Sequence, residues 1–215
     1  MTPEAVANYL KQHPEFFEEH ADFLSTILIP HPHGGRAISI SERQIVALRE
    51  KGKQLEGKLR ELIEFGEEND AIGEKMHRLT RGLVAARDVE AVIEALLFNL
   101  REDFAVPHIA LRLWSQGKHP ELPEFDAVSD GAREFADSLA NPYCSTRAMV
   151  DTADWFGEDA SRLQSFAYVA LKNGRTLGLM ALASEDPHRF YTEMGTLYLK
   201  RLGDVSAAAL LRYLT

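Results

Sequence analysis

Large apolar residues recur every three or four positions along a proline-free stretch from Ser39 to Ala86. This spacing is that of one face of an α-helix and is typical of a coiled-coil seam. Such a helix would be on the order of 65 Å long. A small domain cannot bury it alone, so we predict that a second helix covers the stripe. The stripe consists of Ile45, Leu48, Leu55, Leu59, Leu62, Phe65, Ile72, Met76, Leu79 and Leu83.

The start of this helix carries two overlapping capping signals. Ser41 followed by Gln44 is a capping box, and Ser39 with Glu42 is a competing pair two residues earlier. Farther along the stripe, Asn69 is a polar residue of the kind that fixes register in a coiled coil. The sequence leaves open whether such irregularities form a signalling hinge or only weaken the coiled coil.

Residues 1–38 predict a small helical head and a turn. Thr2–Glu4 supplies a hydroxyl cap, a proline at the first helical position and an acid in the first turn. His13 precedes a proline and ends this helix. A second helix is predicted from Pro14 to about Leu28. We interpret the pair as a cap on the long helix or on a second subunit, with docking of a protein partner as the alternative. His31 and His33 lie among prolines and glycines, which favours a linker over a metal site.

From Asp88 onward the pattern mixes helices and strands. Asp88 is a natural N-cap for a new helix, and residues 108–114 alternate as a strand does. A short helix capped by Ser129 or Asp130 is predicted over 131–139. A final helix runs from about Thr192 to Tyr213. The predicted fold class is therefore α+β, with an antiparallel sheet flanked by helices.

The hairpin near the end of the chain is the clearest strand signal. Two apolar runs, 166–172 and 175–183, flank Asn173-Gly174. Asn-Gly is typical of a two-residue type I′ turn, which would place Leu171 opposite Thr176. Both runs are apolar on both faces, so we expect both sides of the sheet to be covered.

The order of elements from Asp88 resembles a GAF domain, a relative of the PAS sensors. Further motifs are spread over nearly the whole chain: Tyr9-Leu10, His13-Pro14-Glu15-Phe16-Phe17, Glu42-Arg43-Gln44, Gly178-Leu179, Arg189-Phe190 and Met194-Gly195-Thr196. On these motifs the chain also resembles the bacterial family called domain of unknown function 484. The sequence pattern and the resemblance together predict three parts: a helical head and Pro/Gly turn over 1–38, a coiled-coil helix over 39–86 and a GAF-like domain over 87–215.

The resemblance also implies where a ligand would bind. In GAF-like domains the small-molecule pocket lies between the sheet and the irregular segment before the last hairpin. In this chain its wall would draw on Tyr143, Cys144, Arg147, Trp155 and Phe156. Arg147 would clamp a carboxylate or phosphate. The alternative is that the three aromatic residues belong to the core and that Arg147 is a surface residue.

Catalytic chemistry has little support in the sequence. Cys144 is the only cysteine, which excludes an internal disulfide and a cysteine-based zinc cluster. The GAF-type methionine sulfoxide reductases use more than one cysteine, so we predict that the protein is not an enzyme. Asp186 and Arg189 would either bind a ligand phosphate or pair within the turn before the last helix.

Composition narrows the class of partner. The formal net charge of −9 argues against a nucleic-acid-binding surface. No secretory signal and no apolar run long enough for a membrane span is visible. We therefore expect a cytoplasmic homodimer, a non-catalytic sensor or regulatory protein with a small molecule in its pocket, and no named cofactor. A ligand-free scaffold is the alternative.

Overall fold

A computed structural model describes residues 2–29, 38–114, 121–149 and 151–214, with 24–26, 28–29 and 38–42 described by their backbone only. The predicted turn with His31 and His33 lies outside these residues. The chain divides into two compact units, Met1–Asn69 and Asp70–Thr215, and the boundary falls inside one long helix. Helices and an antiparallel sheet are both present, which confirms the α+β class.

The first unit begins with three short helices, α1 (Pro3–Gln12), α2 (Glu15–Glu19) and α3 (Ala21–Thr26). Thr2 caps α1 as predicted, because its Oγ1 accepts a hydrogen bond from the Ala5 N–H at 3.3 Å. The single helix predicted from Pro14 to Leu28 is wrong: the backbone leaves the helical region at His20. The bend brings Phe16 into contact with the rings of His20 and Phe23.

Two strands, β1 (Leu28–Ile29) and β2 (Ile38–Ser39), pair antiparallel before the long helix α4 (Ile40–Ala85). Because α4 begins at Ile40, Ser39 takes the position before the helix and Ser41 already lies inside it. The earlier of the two predicted capping pairs therefore matches the observed start.

The second unit contains the last part of α4, α5 (Val89–Glu102), α6 (Asp130–Ser138) and α7 (Leu197–Leu211). The predicted caps of α5 and α6 are confirmed, since Asp88 accepts from the Ala91 N–H and Ser129 from the Ala132 N–H. The helix α7 starts five residues later than predicted. The reason is a turn closed by a hydrogen bond from the Met194 N–H to the Tyr191 carbonyl.

The sheet of this unit consists of the antiparallel strands β3 (His108–Leu113), β4 (Tyr143–Ser145), β5 (Ser165–Asn173) and β6 (Arg175–Ser184). Their spatial order is β3-β6-β5-β4. Short 3₁₀ segments at Pro123–Phe125 and Ala153–Arg162 lie between the helices and strands, and Gly157 kinks the second of them at a φ of 57°.

The hairpin of β5 and β6 has a different register from the predicted one. Leu171 lies opposite Gly178, and Lys172 lies opposite Thr176, with a bulge between the two pairs. Asn173 pairs with Arg175 as the last residue of β5, so Gly174 alone turns at positive φ. The prediction of a two-residue type I′ loop is therefore wrong.

Each face of the sheet packs into its own hydrophobic core, as the apolar strands predicted. The first core joins one face to α5, α7 and the end of α4, and includes Leu83, Leu96 and Leu210. The second core joins the other face to α6 and the 153–162 segment. Strand residues alternate between the two, so that Ala167 faces the first core and Tyr168 the second.

One close approach in this unit depends on a glycine. A Cβ at Gly203 of α7 would lie 2.6 Å from Cγ1 of Val169 on β5. Because Gly203 has no side chain, α7 can pack directly against β5 in the first core.

Candidate functional site

Four of the five residues that the resemblance implied for a ligand site are divided between the two sides of the sheet. Cys144 belongs to the first core, whereas Trp155 and Phe156 pack against the second. Tyr143 precedes Cys144 on β4 and contacts Phe135 of α6, at 6.2 Å between ring centroids. Adjacent residues of a strand point to opposite faces of the sheet. The side chains of Tyr143 and Cys144 therefore cannot line the same pocket.

The second core is rich in aromatic contacts. Tyr168 meets Phe135 edge to face at 5.4 Å and stacks on Phe166 at 6.4 Å. Phe156 meets Phe166 at 6.0 Å. Four aromatic rings thus fill the space between the sheet and its cover, in the geometries that such rings prefer.

A buried hydrogen-bond network fastens the segment that covers this core. The hydroxyl of Tyr168 accepts from the Met149 N–H and lies 2.9 Å from Oγ1 of Thr152. Thr152 in turn donates to the Met149 carbonyl at 2.7 Å. Burial raises the pKa of Tyr168 above its ordinary value. The neutral Tyr168 hydroxyl therefore anchors the covering segment. The sequence did not reveal this role, because the partners Met149 and Thr152 lie in a different segment from Tyr168.

Trp155 is paired with an arginine that sequence reasoning did not assign to the site. The guanidinium of Arg112 lies 5.5 Å from the Trp155 ring centroid, and its Nη1 donates to the Leu111 carbonyl. Arg133 lies 5.7 Å from the ring of Trp114 on the same face. Such pairs contribute modestly to stability and orient the rings. The sequence does contain a sign of this arrangement. The alternation along β3 places His108, Arg112 and Trp114 on one face of the strand and the apolar residues on the other.

Arg147 is exposed, and its backbone N–H donates to Oγ of Ser145 at 3.1 Å. Asp186 and Arg189 pair within the turn through their backbones, because the Arg189 N–H donates to the Asp186 carbonyl at 3.3 Å, but their side chains have other partners. Oδ1 of Asp186 accepts from the His188 N–H, while Nη2 of Arg189 donates to the Phe104 carbonyl at 2.7 Å. Each of the two side chains thus stabilises a turn by a hydrogen bond to its backbone.

Cys144 is 3% exposed, and burial raises the pKa of its thiol. A thiol held in its neutral form is a poor nucleophile, because the thiolate is the reactive species. The environment of Cys144 therefore suits packing better than covalent chemistry.

A small cavity of about 60 Å³ lies between β5, α7 and the loop before β4. Its polar lining includes Asn141, Lys172, Lys200 and Asp204. Nζ of Lys172 donates hydrogen bonds to the carbonyls of Asp137 and Leu139, so this ammonium group caps the C-terminus of α6. A cavity of this size has room for buried water, for which its polar lining supplies hydrogen-bond partners. None of the five residues predicted for the ligand site lines it.

Within the described ranges, no three His, Cys, Asp or Glu side chains come together in a way that would hold a metal ion. Over the same part of the chain, no helix is both long enough and apolar enough to cross a membrane.

Known sequences similar to this chain belong to proteins of unknown function. The profile of a family described as "Protein of unknown function, DUF484" matches residues 1–215. The chain is also 23% identical over 209 residues to "Uncharacterized protein YigA" of Salmonella typhimurium strain LT2. That alignment covers 92% of this chain and 86% of the relative.

Proposed function

The chain belongs to the DUF484 family of proteins of unknown function, and from that premise we propose that it is a non-catalytic regulatory protein that works as a homodimer joined along α4. A GAF-like domain formed by the C-terminal part would then hold a small molecule or a protein partner. The observation that carries the proposal is the exposed apolar stripe of α4.

The stripe changes its environment along the helix. Leu79 and Leu83 at its C-terminal end are buried in the first core. Leu48, Leu55 and Leu62 are 68%, 58% and 65% exposed. Ile45, Leu59, Ile63 and Phe65 are also about half exposed or more. Side chains of this size at coiled-coil spacing favour a helical partner, because full burial of an exposed one is worth up to about 1.5–3 kcal/mol before the entropic costs of association.

The proposed dimer is tested by light scattering of the full chain across micromolar concentrations. We expect twice the mass of one chain, and a monomer throughout would overturn the proposal. Leu55→Glu should shift the equilibrium toward monomer, because it places a charge in the seam. Gln54→Glu is the matched control, since it adds the same charge one residue away from the stripe. Circular dichroism should give the same helix content for both variants.

Whether a small molecule occupies the C-terminal domain is a separate part of the proposal. The packing of Trp155 and Phe156 into the second core favours a ligand-free scaffold, whereas Arg112 beside Trp155 is the feature that suits an anionic aromatic ligand. Native mass spectrometry of protein purified from its own host separates these two functions. Added mass that is lost on denaturation would support a ligand, and the bare dimer mass would support the scaffold.

A protein partner could dock on the N-terminal head. Val6, Tyr9 and Phe23 are 40–55% exposed. Glu15 and Glu18 give the same region an acidic character. We propose that a partner for this surface combines apolar and basic side chains.

A further inference from the structure

Charges along α4 are divided into blocks of opposite sign. Between Arg43 and Arg60, six residues are basic and two are acidic. Between Glu61 and Glu74, six residues are acidic and none is basic. All of these charged side chains are exposed. The two blocks overlap the exposed part of the apolar stripe, so any helix that covers the stripe meets both of them.

We infer that α4 pairs with α4 of a second copy in the antiparallel orientation, an inference that rests on the dimer proposed above. A closed dimer of identical helices is either parallel and in register or antiparallel. In the parallel arrangement each block faces a block of its own sign. In the antiparallel arrangement the basic block of each copy faces the acidic block of the other, which is the complementary arrangement.

The sizes of the seam residues support the same orientation. When Ile45 is taken as heptad position a, Gly52 and Gly66 also fall at a, and Leu48 and Leu62 fall at d. In a parallel dimer each a residue faces its own counterpart, so the layer at Gly52 would contain only glycines and leave a void, whereas beside Gly66 the stripe supplies Phe65. In an antiparallel dimer a faces d, and Gly52 then meets Leu62 of the second copy while Gly66 meets Leu48. Small residues against large ones fill the seam.

This register places the twofold axis beside Gly57. Glu56 and Lys58 lie next to the axis, and each meets the same residue of the second copy. These like-charge contacts are exposed, and water screens them strongly. They are confined to the positions beside the axis, and farther from it each block faces the block of opposite sign in the second copy.

The orientation can be tested with single cysteines in a Cys144→Ala background and a short bismaleimide cross-linker. In the antiparallel dimer the two copies of residue 48 lie about 27 Å apart along the helix axis. We therefore expect Leu48→Cys protein to give no cross-linked dimer by itself. An equimolar mixture of Leu48→Cys and Gly66→Cys protein, allowed to exchange subunits, should give the mixed dimer.

The outcomes separate this inference from the dimer itself. Efficient cross-linking of Leu48→Cys with itself would keep the dimer and overturn the antiparallel orientation. A dimer by light scattering in which neither experiment cross-links would show that α4 is not the seam. A monomer by light scattering would overturn the proposed dimer and this inference together.

Salt dependence of the unmodified protein gives a second measurement. Because opposite charges attract across the proposed seam, the dissociation constant should rise several-fold between 50 mM and 500 mM sodium chloride. A constant that falls or stays unchanged would overturn the charge pairing. Matched measurements on Arg49→Gln/Lys53→Gln protein should show a weaker dependence on salt.

Discussion

The hydroxyl groups of Tyr168 and Thr152 lie 2.9 Å apart, and both side chains are fully buried. Thr152 donates its own proton to the Met149 carbonyl, so the hydroxyl hydrogen of Tyr168 points to Thr152. The Met149 N–H donates to Tyr168 from the other side. This network fixes the start of the 153–162 segment over the sheet. The network therefore helps to hold Trp155 and Phe156, which follow Thr152 along the chain, in the second core.

Tyr168→Phe should destabilise the protein by about 1–3 kcal/mol, because it leaves the partly buried Met149 N–H without its acceptor. The ring contacts with Phe135 and Phe166 would remain, so the loss measures the hydroxyl. Urea unfolding followed by circular dichroism gives the free energy of unfolding. Near-ultraviolet signals from Trp155 should also change as its segment loosens.

Tyr191→Phe is the matched control for this substitution, because Tyr191 is 50% exposed. Its free energy of unfolding should stay within about 0.5 kcal/mol of the original. Equal stabilities for the two variants would show that the Tyr168 hydroxyl does not anchor the segment.

Features set by neighbouring residues could be predicted from the sequence, and features set by distant contacts could not. The caps at Thr2 and Asp88 require only a side chain and the next turn of backbone, so the sequence determines them. The hairpin register depended on a bulge between Leu171 and Lys172, which shifts the pairing that the Asn-Gly signal alone would set. The alternation of β4 could have separated Tyr143 from Cys144 onto opposite faces once that strand was recognised.

Cys144 should be protected from thiol reagents in the folded protein and reactive after unfolding. It is buried in the first core, and burial raises the pKa of its thiol. The thiolate, the reactive form, is therefore disfavoured as well as inaccessible. Ellman's reagent should react slowly at pH 8 without urea and at once in 8 M urea. Rapid reaction of the native protein would contradict the packing of this residue.

Stability should also depend on pH through Cys144. Because its pKa is higher in the folded protein, the folded state retains a proton that the unfolded chain releases above its ordinary pKa of about 8.5. This contribution to stability is present below that pH and is lost as pH rises. The Cys144→Ala variant lacks it. The original protein should thus lose more free energy of unfolding than the variant between pH 8 and pH 10.

Lys172→Met should cost about 1–2 kcal/mol, because two carbonyls at the end of α6 lose a charged donor. Methionine keeps most of the aliphatic chain, so the loss reports mainly on the ammonium group. Lys200→Met is the matched control at the same cavity. Nζ of Lys200 is exposed and lies 3.4 Å from Oδ1 of Asn141, so its removal should cost less than about 0.5 kcal/mol. Equal costs in urea unfolding would contradict the role of Lys172.

Gly203→Ala should destabilise the protein although alanine is the better helix former. The gain in helix propensity is about 1 kcal/mol. The new Cβ would lie 2.6 Å from Cγ1 of Val169, and such overpacking costs about 1–3 kcal/mol. Gly57→Ala in α4 is the control, since its Cβ would meet nothing within 4 Å and should stabilise the helix.

The cause of the Gly203→Ala effect can be isolated by removing the atom that clashes. Val169→Ala takes away Cγ1, so the double variant should lose less stability than the two single variants together. The coupling arises because Gly203 and Val169 share one contact between α7 and β5. Strictly additive losses in urea unfolding would show that α7 adjusts elsewhere. They would remove close packing as the reason for glycine at this position.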